Sequence, residues 1–261
     1  MLLARYAPVG SQRYEKLAQS IKSFDKIIEW IPAQLFGIWT IFVAGISAEK
    51  AVSDRFYFWD WSDWKIGLFG IVAITLLIAF LGFKHKYFSV NDISVSSKSI
   101  GFHLILAFIL FGIGSLLYNT IFVINAILYV MAYIAIYLIY TITYDKSEQK
   151  IVSQNDKNVK TGFAIILFII IVIIGYYFDD PVISTGSIVS LPFLIVLLFG
   201  KHIRHLERAK FYPIFIFAMF VVSREGWFLV PIFVLFFILR SYNYLRYQKI
   251  YPTFGVTDDK S

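Results

Sequence analysis

Apolar residues run almost without interruption through 31–48, 66–83, 99–118, 120–142, 161–178 and 182–200, and polar loops separate the runs. A helix that crosses a bilayer needs about 20 predominantly apolar residues, so each run is near spanning length. None alternates apolar with polar as barrel strands do, and a helix satisfies its own backbone hydrogen bonds in lipid. The stretch 211–239 is interrupted by Ser223, Arg224, Glu225 and Gly226. A single helix through it would carry an Arg–Glu pair into hydrocarbon, at a cost of several kcal/mol. Two helices, 206–223 and 226–243, turning at Arg224–Gly226, place those charges at the outer surface instead. The pattern therefore predicts an all-α, polytopic transmembrane bundle of about eight helices.

Ahead of the bundle, Leu17, Ile21, Phe24, Ile28 and Ile31 recur at three- and four-residue spacing, with Arg13, Lys16, Lys22 and Lys26 off that stripe. This is an amphipathic helix over 11–30. It either lies in the inner membrane interface or caps the bundle. Three parts follow: an N-terminal amphipathic segment over 1–30, a transmembrane bundle over 31–243 and a cytoplasmic tail over 244–261.

Charge orients the bundle. All but four of the 24 Lys and Arg fall on the two ends and on the loops after the second, fourth and sixth helices. The exceptions are Lys50, Arg55, Lys65 and Arg224. By the positive-inside rule both termini are cytoplasmic, in an inner, cytoplasmic-type membrane. Topology thus accounts for most of the net charge of +7. A basic inner face also attracts anionic lipids of the bilayer. No basic patch falls in a soluble domain, so nucleic acid is not an expected partner. A hydrophobic content of 59% excludes a soluble globular domain. With no cysteine, disulfides, thiolate metal sites and Cys nucleophiles are excluded.

The outer connections are short apart from 49–65, where Phe56, Tyr57, Phe58, Trp59, Trp61 and Trp64 alternate with Asp54, Asp60 and Asp63. These rings read as interfacial anchors at headgroup depth. Reaction chemistry is expected on the longer inner loops. Lys84-His85 and Lys201-His202 each follow the second helix of a set of four, which suggests a parallel 4+4 pseudo-repeat. His202 and His205 share a helix face at a spacing that suits one metal ion, although Arg204 and Arg208 beside them disfavour a cation. His103 reads as a polar residue between helices. Tyr129, Tyr133, Tyr137, Tyr140 and Tyr144 follow helical spacing. They form either a packing surface or the wall of a polar cavity that faces a headgroup.

Asn91-Asp92 stands immediately after the second helix, and a second polar loop, Lys201–Arg208, follows the sixth. In these features, with the all-helical bundle and cytoplasmic N-terminus, the chain resembles the UbiA-type intramembrane prenyltransferases. The resemblance implies an isoprenoid or polar-lipid substrate in a membrane-open cavity, with prenyl or lipid transfer at the cytoplasmic face. It further implies Mg²⁺ at Asp-rich loops, for which Asp92 is the metal ligand available here. The chain departs from that pattern at Val95, Ser96, Ser97 and Lys98, where further Asp residues are expected, and the second loop offers only Glu207 as carboxylate. Basic residues there suit direct binding of phosphate. The headgroup site so implied comprises Asn91 and Asp92 with Lys84, His85, Lys201, His202, Arg204, His205 and Arg208.

Two other classes stay open. A non-catalytic membrane subunit or scaffold, with membrane-protein partners in a larger complex, fits the short outer loops. A small-solute transporter would show a discontinuous helix around Pro192, beside Ser184, Thr185, Ser187 and Ser190.

Overall fold

The structure is a computed structural model that describes residues 2–22, 34–54, 56–85, 97–116, 123–145 and 150–248. Two short N-terminal helices, α1 (Leu2–Tyr6) and α2 (Gln12–Lys22), precede α3 (Gln34–Ser53), α4 (Trp64–His85), α5 (Ser97–Leu116) and α6 (Val123–Tyr140). A two-stranded hairpin, β1 (Tyr144–Asp145) with β2 (Lys150–Ile151), leads into α7 (Gln154–Tyr177), α8 (Pro181–Phe199) and α9 (Ile203–Arg224). A 3₁₀ turn at Gly226–Phe228 opens α10 (Leu229–Tyr247). The architecture is all-α. Among the described residues three segments are long and apolar enough to cross a membrane, Gln154–Tyr177, Pro181–Phe199 and Gly226–Tyr247, and shorter apolar helices lie at Trp64–Phe80, Ile100–Leu116 and Asn125–Tyr140. The chain is a multi-pass membrane protein.

The main core is an apolar cluster that draws on α3 through α10, with Phe36, Phe42, Phe111, Phe168 and Trp227 among its largest buried side chains. Helices in lipid gain little from apolar burial against one another and rely on close packing, which small residues permit. At the α3–α5 crossing Gly45 faces Gly114. A Cβ at Gly45 would strike the Phe111 carbonyl oxygen, and one at Gly114 the Phe42 carbonyl oxygen. Glycine is what lets these two backbones meet.

Helix α7 begins at Gln154, seven residues before the apolar run that predicts it. Ser153 supplies the reason. Its hydroxyl accepts from the Asp156 amide at 3.2 Å as an N-cap, and Asp156 lies in the first turn, where the helix dipole favours an anion. The α7–α8 turn is set by Asp180, whose carboxylate accepts from the Val182 and Ile183 amides at 3.0 and 3.2 Å, with Pro181 starting the helix. Helix α8 continues unbroken through Pro192, so the discontinuity expected of a transport site is not formed there.

Helix α2 is a cap. Leu17, Ala18 and Ile21 pack with Tyr14, Tyr244 and Leu245, and the Tyr14 hydroxyl donates to the Leu245 carbonyl at 2.9 Å. In return the Tyr244 hydroxyl donates to the Ala7 carbonyl at 2.7 Å. Of the two readings of the amphipathic segment, packing on the bundle is the one realised over Gln12–Lys22; Phe24, Ile28 and Ile31 lie outside the described residues.

The break between α9 and α10 corrects one expectation. Chain direction is interrupted at Glu225, as the charges required, but Arg224 and Glu225 are 2% and 0% exposed rather than facing outer solvent. The loop over Tyr57–Asp63 folds across them.

Candidate functional site

Three polar regions stand out against this apolar scaffold. The first is at the α8–α9 junction, where Lys201, His202, Arg204 and Arg208 are exposed and His205 is half-buried. The His202 Nδ1 accepts from the Arg204 amide at 3.1 Å, so that imidazole serves as the N-cap of α9. The His205 ring packs on Gly200, and its centroid is 6.4 Å from that of His202. Lys84 and His85 close α4, while Asn91 and Asp92 lie outside the described residues. The structure therefore gathers five of the nine sequence-predicted site residues on one junction. Among the described residues no group of three or more His, Cys, Asp or Glu is placed to hold a metal. Glu207, the one carboxylate of the second loop, stands among Lys201, Arg204, Arg208 and Lys210. That donor set suits an anion and does not fit Mg²⁺.

Close by, three lysines are turned to helix ends. Lys157, 2% exposed, donates to the Leu198 and Gly200 carbonyls at 3.1 and 2.9 Å. Lys160 donates to the Thr141 carbonyl at 3.2 Å and pairs with Asp156 at 2.7 Å. Lys210 donates to the Ile142 carbonyl at 3.0 Å and sits over the Tyr144 ring. Cations at helix C-termini satisfy orphan carbonyls and complement the dipole.

The second region is a narrow cavity of about 50 Å³ inside the bundle, walled by α3, α6 and α9. Gly37, Thr40, Ile41 and Ala44 come from α3, and Ile214, Phe217 and Val221 from α9. Helix α6 contributes Tyr129, Tyr133, Tyr137 and Tyr140 with Ala132 and Ile136. The tyrosine stripe of the sequence is the wall of a cavity. Its residues differ in what engages them. The Tyr129 hydroxyl lies 3.3 Å from Asp180 Oδ1, and Tyr137 stacks on His103 with centroids 4.0 Å apart. The Tyr140 hydroxyl, by contrast, is buried and makes no hydrogen bond. Buried polar groups are nearly always partnered, so this hydroxyl marks a place where a ligand or water belongs. Among the described residues no charged side chain lines the cavity.

The third region, at the opposite end of the bundle from the α8–α9 junction, was not recognised as a site from the sequence. Lys50 Nζ approaches Asp60 Oδ2 at 3.0 Å, Asp63 Oδ2 at 2.9 Å and Glu225 Oε1 at 3.3 Å. The Tyr57 hydroxyl sits among them, 2.8 Å from Asp60 Oδ2, 2.9 Å from Glu225 Oε1 and 3.1 Å from Lys50 Nζ. The Trp227 indole N–H donates to Glu225 Oε2 at 2.7 Å, and Arg224 donates to the Tyr57 carbonyl while its guanidinium lies over the Phe58 ring. Backbone bonds complete the closure: Trp59 and Asp60 amides donate to the Ser223 and Arg224 carbonyls, and the Gly226 amide donates to the Asp60 carbonyl. A Cβ at Gly226 would collide with the Trp61 indole. Burial raises the Glu225 carboxyl above the usual range, against the pull of Lys50 and Trp227. For Asp60 burial acts the same way but is outweighed by the Ser62 hydroxyl and amide and by Lys50, so its carboxyl is held well below that range. A signal for the cluster was present: three Asp next to Lys50, and an Arg–Glu pair in an apolar stretch.

Compared with protein-family models, curated proteins and solved structures, the chain matches none of them.

Proposed function

We propose that the chain is an eight-span membrane protein with both termini in the cytoplasm that holds a lipid inside its helical bundle, in the manner expected of a UbiA-like isoprenoid- or polar-lipid-handling protein. The observation that carries this reading is the tyrosine-walled cavity between α3, α6 and α9, with the unpartnered Tyr140 hydroxyl. Apolar walls with a few convergent polar groups are the ordinary make-up of a small-molecule site. An apolar cavity of roughly 150 Å³ takes a benzene ring, so one of about 50 Å³ takes only the few lipid atoms next to an oxygen and leaves the rest of the chain outside it. Lys160 and Lys210 bound the chain just beyond Tyr140, and Lys201, Arg204 and Arg208 offer exposed cations for a headgroup at the cytoplasmic surface. Transfer chemistry through Mg²⁺ gains no support from the described donors. Asp92 stays with the resemblance as its metal ligand, and the 4+4 repeat rests on the two Lys-His dipeptides alone.

The alternative, a non-catalytic subunit of a larger membrane complex, draws on the exposed apolar rows of α4, where Phe69, Leu76, Leu77 and Phe80 face outward. Native mass spectrometry of the full chain, released from mild detergent, separates the two. A retained lipid that is lost on Ala132→Leu, which fills the cavity, supports lipid handling. Fixed protein partners with no retained lipid would replace it with the subunit.

A further inference from the structure

Resting on the lipid-binding reading, we infer that the group recognised inside the bundle is uncharged: the cavity takes the oxygen-bearing end of a single-chain lipid, whose neutral oxygen, a hydroxyl or a carbonyl, hydrogen-bonds to Tyr140. Three observations carry this. The Tyr140 hydroxyl is buried without a partner on the cavity wall, so it offers both a donor and acceptor capacity to whatever enters. Among the described residues no charged side chain lines the cavity, and burying an unpaired anion against apolar walls is far costlier than burying a hydroxyl that finds a bond. The ammonium groups nearest along the chain are already committed, Lys160 to Thr141 and Asp156, Lys210 to Ile142. A phosphate at this depth would have to displace them from the α6 terminus. Of the other wall tyrosines, Tyr129 is held by Asp180, Tyr137 is stacked on His103 and Tyr133 lies 6.5 Å from the same imidazole. Tyr140 therefore decides which oxygen-bearing chain is accepted.

The test uses the full-length protein in nanodiscs and tritiated hexadecanol, with unlabelled hexadecane and hexadecyl phosphate as competitors. Hexadecanol binding is expected to weaken about five- to tenfold on Tyr140→Phe, the loss of one hydrogen bond. Displacement by hexadecane is expected to be the same for both proteins, which also reports that the variant keeps its cavity. Ala132→Leu should abolish binding of both. If Tyr140→Phe leaves hexadecanol affinity unchanged, or if hexadecyl phosphate displaces it more tightly than hexadecanol itself, recognition of a neutral oxygen is overturned while the lipid site stands. If neither hexadecanol nor hexadecane binds, the lipid site itself falls. Waters alone would then fill the cavity.

Discussion

Lys50 on α3 reaches Glu225, 175 residues later, at 3.3 Å, and Glu225 has no exposed surface. This contact fastens the end of α3 to the break between α9 and α10. It also gives a structural reason for two cations that fall outside the basic ends and loops: Lys50 and Arg224 are both buried by the structure. Removing one partner of a buried ion pair strands the other charge, at a cost of about 3–5 kcal/mol. Lys50→Ala should lower the melting temperature of the detergent-solubilised protein sharply. Adding Glu225→Gln should recover part of the loss, because the two residues are coupled. Unchanged melting of Lys50→Ala would show that the cluster does not hold the break closed.

The cluster has a pH signature with a definite sign. Burial raises the Glu225 carboxyl, so its contribution to stability is complete below its unfolded value of about 4.3 and is lost as pH rises through the folded value. Asp60, held low, behaves oppositely: its contribution is present above about 3.9 and lost only in acid, as pH falls through the folded value. Wild type should therefore fall behind Glu225→Gln as pH is raised from about 4 toward neutral. Melting curves of the two proteins across that range decide the matter, and a constant gap would mean that Glu225 does not retain its proton preferentially on folding.

Gly112 and Gly114 lie two residues apart on α5 and should respond to alanine in opposite directions. A Cβ at Gly114 meets the backbone of α3, whereas one at Gly112 meets nothing within 4 Å. Gly114→Ala must push the helices apart, at roughly 1–3 kcal/mol. Gly112→Ala gains helix propensity, about 0.5–1 kcal/mol. Thermal unfolding of the two variants should move to either side of wild type. If both rise, the α3–α5 approach is looser than described.

Much of this architecture is legible in the chain because lipid imposes a simple rule: a spanning helix must be apolar along its length. The runs locate the helices, and Arg224–Gly226 locates the break. Helix starts were harder. Gln154–Lys160 reads as loop from its polarity, yet a Ser153 cap and lysines that reach carbonyls make it the first turns of α7. The tyrosine stripe was visible by spacing, but only packing shows that it walls a cavity and that the Tyr140 hydroxyl is buried there without a hydrogen bond. The Lys50–Glu225 cluster was missed for a different reason. Its members come from residues 50–63 and 224–227, and nothing in either segment says that it meets the other.

Lys157 tests whether the basic residues of the α7 and α8 ends serve topology alone. Its ammonium is buried and holds the last carbonyls of α8, while Lys201, at the same end of the bundle, is exposed. Lys157→Met and Lys201→Met remove the same charge from the same side of the protein. Met keeps most of the apolar stem, so packing changes little in either case. If charge only orients the chain, the two variants should be alike. If the cap matters, Lys157→Met leaves the Leu198 and Gly200 carbonyls without their donor, at about 1–3 kcal/mol, and Lys201→Met stays within about 0.5 kcal/mol of wild type. Melting of the purified variants distinguishes these cases, and we expect the loss at Lys157 only. Such a result would mean that a lysine at this basic end of the bundle closes the helix it faces, beyond any part its charge plays in topology.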